Sequence, residues 1–139
     1  MSVFSIKKIK ENKILNSKGN LFHVIKYRSK GYKGFGEAYF SWINSGKIKG
    51  WKKHYKMTLN LVVPVGKVQF VFFSENKNVF KSIIIGEKNY YRLTIPPKIW
   101  FAFKGVAKMN SLVLNFANIS HKSDIIKKMP LKKIKFNWK

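Results

Sequence analysis

The chain has no cysteine, only five acidic residues in 139, and only four prolines. The lack of cysteine excludes disulfide bonds, thiol catalysis and thiolate metal sites. No apolar run approaches the roughly 18 residues that a membrane-spanning helix needs, so no such helix is predicted. Lys7 and Lys8 interrupt the apolar start of the chain before a signal-peptide core can form, and we therefore expect a cytoplasmic protein.

Positive charge is what the chain has in excess, with 29 lysines and arginines and a formal net charge of +24. Such a charge suggests nucleic-acid binding, which depends on neutralising phosphates. However, only Arg28 and Arg92 are arginines, although bidentate recognition of phosphates and bases favours that residue. The lysines are also spread along the whole chain. We therefore rank a nucleic-acid-associated basic barrel last among the functional hypotheses.

Short strand-like segments recur about every ten residues, which predicts an all-β sandwich or barrel. Turn signals such as Asn44-Ser45-Gly46, Gly66 and Pro96-Pro97 separate them. Apolar residues make up 45% of the chain, enough for the buried core of one domain. The predicted strands are 21–27, 37–43, 47–53, 58–63, 67–73, 80–85, 90–95, 99–103 and 111–119.

The one helical signal lies near the carboxyl terminus, over 123–129. Ser123 suits an N-cap, Asp124 follows in the first turn, and lysines come late in the segment. The pattern predicts a helix of one or two turns. No repeat or linker divides the chain, so we expect a single domain over residues 1–139.

The most informative polar residues lie between Lys47 and Gly66, on two predicted strands. Lys52 and His54 are two positions apart, so both side chains leave the same face of a strand. The ordinary pKa of histidine suits a general base at neutral pH. The alternative is a histidine that only forms hydrogen bonds inside a barrel.

Gly66-Lys67-Val68 between two strands, followed by a strand and turn that read YRLTIPPKIWFAF over 91–103, carry a family resemblance. They resemble the cupin jelly roll of the dTDP-4-dehydrorhamnose 3,5-epimerase family and the related dTDP-sugar 3,4-ketoisomerases. The resemblance covers about residues 36–138. It implies a cupin jelly-roll barrel and a homodimer without a cofactor. It also implies an epimerase or isomerase that acts on a nucleotide-linked 4-keto-6-deoxy sugar, dTDP-linked above all, in surface polysaccharide or O-antigen biosynthesis.

The resemblance also implies roles for individual residues. Lys49 takes the place of the family arginine that binds nucleotide phosphate, and His54 matches the second histidine of the ketoisomerases. Lys52 replaces the family's catalytic histidine, and a further family histidine falls on Phe101. The proton-donating tyrosine of the epimerases falls near Ile119. We therefore expect His54 and Lys52 to be catalytic, with Lys52 acting as a second base or as a cation.

Tyr39, Tyr55 or Tyr91 would have to replace the missing tyrosine. The predicted substrate-binding residues are Lys49, Glu37, Asn60, Tyr39, Trp51 and Arg92. Glu37 would orient His54, hold a sugar hydroxyl or form a salt bridge, and Asn60 interrupts an apolar strand where a ligand or a neighbouring strand would bind it.

No metal site is expected, because metal-binding cupins gather two or three histidines and a carboxylate around the ion. The three histidines of this chain, His23, His54 and His121, lie far apart in the sequence. Since several family positions are substituted, a second hypothesis is a catalytically silent cupin that binds a nucleotide sugar or a glycan.

Overall fold

The computed structural model describes residues 2–139, which form β-strands joined by turns. In this range the remaining regular elements are three-residue 3-10 turns at Val3–Ser5, His121–Ser123 and Leu131–Lys133, and no helix is long and apolar enough to cross a membrane. The strands are β1 (Lys7–Lys10), β2 (Lys13–Ile14), β3 (Leu21–Phe22), β4 (Glu37–Ile43), β5 (Ile48–His54), β6 (Leu59–Val65), β7 (Lys67–Ser74), β8 (Val79–Gly86), β9 (Tyr91–Ile95), β10 (Trp100–Gly105), β11 (Ser111–Ala117) and β12 (Ile126–Lys128).

Two five-stranded antiparallel sheets pack against each other. The first has the order β1-β9-β6-β11-β4, and the second has the order β12-β5-β10-β7-β8, while β2 and β3 form a separate hairpin. The chain alternates between the sheets from β4 to β7 and again from β8 to β12. This alternation is the jelly-roll arrangement, and the predicted all-β cupin fold is confirmed.

The core lies between the two sheets because alternate side chains of each strand point inward. Phe70 and Phe72 on β7, Ile85 on β8 and Leu93 on β9 are fully buried there. Each buried side chain of this size contributes about 1.5–3 kcal/mol relative to an exposed one. The core holds the inner faces of the sheets in place and leaves a small cavity between them.

Most predicted strands are confirmed, and β4 has the predicted bounds. The turn at Gly66 is also confirmed, since its φ of 82° favours glycine and a Cβ atom there would overlap Ser111. The strand expected at 21–27 is shorter, because only Leu21 and Phe22 pair with β2. The sequence pattern gave no sign of β1, whose lysine-rich strand pairs with β9.

The helix expected over 123–129 is wrong. Ile126–Lys128 forms β12 instead, which pairs with β5 so that Ile126 lies opposite His54. An isolated helix this short is marginal, whereas the strand satisfies the hydrogen bonds at an open sheet edge. As a result the carboxylate of Asp124 points to His54 rather than serving the first turn of a helix.

Residues 129–139 cross the outer face of the second sheet, and we call them the C-terminal strap. Trp51 and Met129 exchange two backbone hydrogen bonds of 3.0 Å. The buried Trp51 indole N–H donates to the carbonyl of Ile134 at 3.1 Å, and the Lys104 ammonium donates to the carbonyl of Trp138 at 3.2 Å. The strap is therefore held against β5 and β10.

Candidate active site

A cavity of about 70 Å³ opens between the two sheets. Its polar lining side chains are Tyr39, Ser41, Lys52, His54 and Asn115, and its apolar wall is formed by Leu59, Leu61, Phe70, Phe101, Phe103 and Val113. A larger hollow of about 380 Å³ lies among the turns that follow β6, β8 and β10, but lysines and one glutamate are its only titratable lining residues. The smaller cavity is therefore the candidate active site, because it alone of the two combines a histidine with other proton donors and acceptors.

His54 and Asp124 form a buried pair beside this cavity. Nδ1 of His54 lies 2.5 Å from a carboxylate oxygen of Asp124, and the two side chains are 3% and 0% exposed. The second oxygen of Asp124 accepts hydrogen bonds from the backbone N–H groups of Lys56, Met57 and Ile125. This arrangement fixes the imidazole and leaves Nε2 free for proton transfer, as in other carboxylate–histidine pairs.

Burial lowers the pKa of His54, and the hydrogen bond and charge of Asp124 offset only part of that effect. Burial alone would raise the pKa of Asp124. The hydrogen bonds that it accepts from His54 and the backbone instead hold that pKa below its usual range. His54 is therefore a neutral imidazole near pH 7, the form that a general base requires.

Lys52 lines the same cavity as His54, so the expectation that both side chains leave one face of the strand is confirmed. Burial lowers the pKa of Lys52, and the nearby cations Lys128 and Lys49 lower it further. Phe101 lies directly across from Lys52 on β10, and its ring stacks against the imidazole of His54 at 5.9 Å between ring centres. An apolar wall thus flanks both basic groups.

Tyr39 is the tyrosine that reaches this cavity. Its hydroxyl accepts a hydrogen bond of 2.9 Å from the amide of Asn115, so its own proton remains available for donation. Burial raises the pKa of Tyr39, which keeps the phenol protonated at neutral pH. The other two candidate tyrosines, Tyr55 and Tyr91, do not line the cavity and lie next to lysine ammonium groups.

Asn115 has a further unused group. Its side-chain oxygen is buried and, among the described residues, has no hydrogen-bond partner. Buried polar atoms are normally paired, because an unpaired one costs about 1–3 kcal/mol. This oxygen is therefore suited to accept a hydrogen bond from a ligand hydroxyl in the cavity.

Lys49 bridges the two sheets and contacts Ser41, one of the residues that line the cavity. Its ammonium group donates to the carbonyl of Trp42 at 2.6 Å and to the hydroxyl of Ser41 at 3.2 Å. Lys49 itself is exposed. It is thus placed to meet an anionic group that remains outside the cavity.

Glu37 does not reach His54. Its carboxylate accepts a hydrogen bond of 2.7 Å from the backbone N–H of His121, in the loop that leads to Asp124. The carboxylate that orients His54 is Asp124. Glu37 instead stabilises the loop that carries Asp124.

Three of the predicted substrate-binding residues lie away from this cavity. The Arg92 guanidinium is fully buried and donates to Glu11, Thr94 and the side-chain oxygen of Asn60. The amide of Asn60 also donates to the carbonyl of Gly31. Trp51 is buried under the C-terminal strap. The structure thus places Asn60, Arg92 and Trp51 in internal contacts, whereas His54, Lys52 and Tyr39 come together.

The sequence interpretation missed Asp124, Asn115 and Ser41. Asp124 was assigned to a helix start, although it is one of only five acids in the chain. Asn115 interrupts the apolar strand SLVLNFA at an inward position, and Ser41 alternates with Tyr39 on β4. In both strands every second side chain points inward, and this alternation could have identified Asn115 and Ser41.

The overall structure is similar to solved structures of sugar-nucleotide enzymes. A dTDP sugar isomerase from Desulfovibrio desulfuricans G20 superposes with a TM-score of 0.88 and 28% identity, over 96% of this chain and 90% of that one. The chain has the epimerase-like cupin fold. No protein-family model matches the chain.

Two further structures have the same fold. A dTDP-4-dehydrorhamnose 3,5-epimerase from Sulfolobus tokodaii has a TM-score of 0.73 and 18% identity, over 89% of this chain and 76% of that one. QdtA, a sugar 3,4-ketoisomerase from Thermoanaerobacterium thermosaccharolyticum in complex with TDP, has a TM-score of 0.71 and 16% identity, over 96% and 94% of the two chains.

One curated protein matches by sequence. The probable low-salt glycan biosynthesis epimerase Agl13 of Haloferax volcanii is 24% identical over 85 residues, which cover 57% of this chain and 54% of Agl13. The match therefore spans about half the length of that relative. The expected resemblance to sugar-nucleotide epimerases and isomerases is confirmed by these comparisons.

Proposed function

We propose that the chain is a single-domain epimerase or isomerase that moves a proton beside the ketone of a nucleotide-linked 4-keto-6-deoxy sugar. The observation that carries the proposal is the His54–Asp124 pair, which faces a cavity shared with Lys52 and Tyr39. In a fold shared with dTDP-sugar isomerases, these groups supply a base, a cation or amine, and a phenolic acid. Those are the groups that proton exchange next to a carbonyl requires.

In this mechanism His54 Nε2 removes the proton from the carbon beside the ketone. Asp124 stabilises the imidazolium that forms, because its negative charge favours the protonated ring. The negative charge that develops on the ketone oxygen is balanced by a donor in the cavity, Lys52 or Tyr39. Return of a proton from Tyr39 to the opposite face of the carbon would invert its configuration.

The size of the cavity indicates how the substrate binds. A volume of about 70 Å³ is well below the roughly 300–1,000 Å³ of pockets that enclose a drug-sized ligand. Only the reacting part of the sugar ring would enter, while the nucleoside diphosphate lies across the rim. Lys49 would bind phosphate as a point charge, and Asn115 would accept a hydrogen bond from a sugar hydroxyl. We propose a dTDP-linked substrate because QdtA binds TDP in the same fold.

Solvent deuterium exchange into dTDP-4-keto-6-deoxyglucose tests this function. The protein should introduce deuterium beside the ketone, and His54→Asn should reduce the rate by at least about 100-fold, the lower end of general-base contributions. His121→Asn is the matched control, since His121 is exposed and does not line the cavity. Exchange no faster than in buffer, or full exchange by His54→Asn, would contradict the proposal.

A second candidate is a cupin that binds the nucleotide sugar without turning it over. It is favoured by Phe101, an inert ring stacked on His54 where the resemblance places a family histidine. Calorimetry with dTDP separates the two functions when combined with the exchange assay. Binding without exchange supports the silent cupin, while binding with exchange supports the enzyme.

We also propose that the enzyme is a cytoplasmic homodimer that supplies surface polysaccharide synthesis. Support for the dimer comes from the outer face of the first sheet, where Phe40 and Trp42 are 65% and 55% exposed. On the neighbouring strand Leu114 lies opposite Phe40, and Leu112 lies opposite Trp42. A contiguous exposed apolar face of this kind is typical of a protein interface, and a second copy presents the same face.

Sedimentation analysis tests the dimer. Phe40→Ser combined with Trp42→Ser should shift the protein to the monomer, whereas Ile84→Ser should not. Ile84 is the control because it is also exposed, at 42%, but lies on β8 at the edge of the other sheet. A monomeric wild-type protein at micromolar concentration would exclude the proposed dimer.

A further inference from the structure

Lys52 is the one amine among the described residues that line the candidate active site. It lies on β5, between Phe101 of β10 on one side and Lys128 of β12 on the other. Its side chain is partly buried, and it faces the cavity together with His54. The substrate of the proposed reaction carries a ketone, the group that a neutral amine attacks.

We propose that Lys52 forms a Schiff base with the ketone of the sugar, and that proton transfer by His54 takes place on this covalent intermediate. This inference rests on the proposed function and specifies its chemistry. It gives Lys52 the role of a nucleophile, in place of a second base or a stabilising cation.

The covalent steps balance with water and one proton, which is taken up from solvent and later released. The neutral Nζ of Lys52 adds to the carbonyl carbon. With uptake of the proton, the oxygen leaves as water and a protonated imine remains, in which a C=N bond replaces C=O. His54 then removes the proton from the adjacent carbon, the electron pair of that C–H bond forms the C=C bond of an enamine, and the C=N π pair moves to the nitrogen. Reprotonation of the carbon restores the protonated imine, and one water molecule hydrolyses it to the ketone and the free amine with release of the proton to solvent. No oxidant or reductant is consumed.

The surroundings of Lys52 favour the neutral amine that this step needs. Lysines that form Schiff bases are activated by an apolar pocket or by neighbouring cations. Lys52 has both, because Phe101 lies across from it, and burial lowers its pKa together with the nearby cations Lys128 and Lys49. The remaining titratable groups at this cavity are His54, which is neutral near pH 7, and the protonated phenol of Tyr39.

The protonated imine also compensates for the absence of a histidine at position 52. Catalysis next to a carbonyl needs an acceptor for the electron pair, and the resemblance places a histidine where Lys52 stands. A positively charged imine nitrogen accepts that electron pair directly. The His54–Asp124 pair can then remain the base, with no second histidine required.

Trapping with cyanoborohydride tests the proposal, because this reagent reduces imines to stable secondary amines. With dTDP-4-keto-6-deoxyglucose present, the protein should lose activity irreversibly and gain the mass of the reduced sugar nucleotide on the peptide that contains Lys52. Lys52→Arg should abolish the adduct. Lys53→Arg is the matched control and should retain it, since the ammonium of Lys53 is bound to Glu75 at 2.8 Å.

A measurement on the wild-type protein tests the Schiff base without relying on variants that could misfold. Each imine cycle replaces the ketone oxygen with one from solvent. In water labelled with heavy oxygen, the substrate should therefore acquire the label faster with the protein than without it. Deuterium exchange with neither a trapped adduct nor catalysed oxygen exchange would overturn the Schiff base but leave the epimerase intact. A wild-type protein that gives no deuterium exchange would overturn the proposed function and this inference with it. Equal trapping on Lys53 would show non-specific modification and would also overturn the inference.

Discussion

Nδ1 of His54 lies 2.5 Å from a carboxylate oxygen of Asp124, although the two residues are 70 positions apart in the sequence. The base thus lies on β5, and the residue that orients it lies in the loop before β12. Their approach depends on the pairing of β12 with the edge of β5. The geometry of the proposed catalytic base is therefore a property of the assembled barrel and not of a local motif.

Asp124→Asn should lower the rate of deuterium exchange by roughly 100-fold or more, because the asparagine keeps the shape but loses the charge that stabilises the imidazolium. Asp124 raises the pKa of His54, so its loss should also move the acidic limb of the pH–rate profile to lower pH. Exchange rates measured across pH check both effects. Glu87→Gln is the control, since Glu87 lines the other hollow. An unchanged pH profile in Asp124→Asn would contradict the proposed role.

Tyr39→Phe should separate the two halves of the reaction. His54 still removes the proton, so solvent exchange should continue, whereas inversion should fall by roughly 100-fold because the phenolic proton donor is lost. The unpaired side-chain oxygen of Asn115 is proposed to accept a hydrogen bond from a sugar hydroxyl, so Asn115→Ala should instead weaken substrate binding and raise KM. Product stereochemistry determined by NMR alongside deuterium content distinguishes the outcomes. Full inversion by Tyr39→Phe would show that another group returns the proton.

Arg92→Met should destabilise the fold by roughly 3–5 kcal/mol, because it leaves the Glu11 carboxylate without its buried ion-pair partner and removes one of the two hydrogen bonds to the Asn60 oxygen. Denaturant unfolding measures this change, and Arg28→Met, at the exposed arginine, should alter stability by no more than about 0.5 kcal/mol. The alternative, predicted from the sequence, is that Arg92 binds substrate. In that case Arg92→Met should fold with normal stability and show a raised KM. Unchanged stability with a raised KM would therefore contradict the structural role.

Acidification should destabilise the protein through the His54–Asp124 pair. Both groups have pKa values in the folded state below their ordinary values of 6.5 and 3.8, so the unfolded chain binds protons more readily. The stabilisation is fully present above about pH 6.5 and is lost as the pH falls through the lowered pKa of His54, with a further loss below about pH 4 from Asp124. Thermal unfolding of the wild-type protein and of His54→Asn measures the effect. The variant should lose less stability between neutral pH and about pH 5, and equal losses would refute this origin.

Much of the fold could be predicted from the sequence, because its strands are short, alternate in polarity and end at clear turns. The bounds of β4 and the turn at Gly66 follow from local residues alone. The edge strands β1 and β12 could not be predicted, since their lysine-rich segments carry no apolar alternation. They form because β9 and β5 offer unpaired backbone groups, which is a property of the complete sheet.

The residues of the candidate site also fall into two groups, those predictable from the local sequence and those that depend on the tertiary structure. Lys52 and His54 were found because a strand places alternate residues on one face. Tyr39 was one of three tyrosines that could replace the family tyrosine missing near Ile119. Asp124 was missed because its position depends on β12. Asn60 and Arg92 are polar residues in strands, as ligand-binding residues often are, but their partners are Glu11, Thr94 and backbone carbonyls that only the tertiary structure reveals.

The pairing of β12 with β5 also affects the order in which the molecule becomes complete during translation. All the other strands of the two sheets are synthesised before β12, so the nascent barrel first has β5 as an open edge. Neither Asp124 nor the C-terminal strap is in place at that stage, and the edge of β5 is free to pair with another chain. The same short strand that completes the His54–Asp124 pair thus closes the edge through which newly made copies would aggregate.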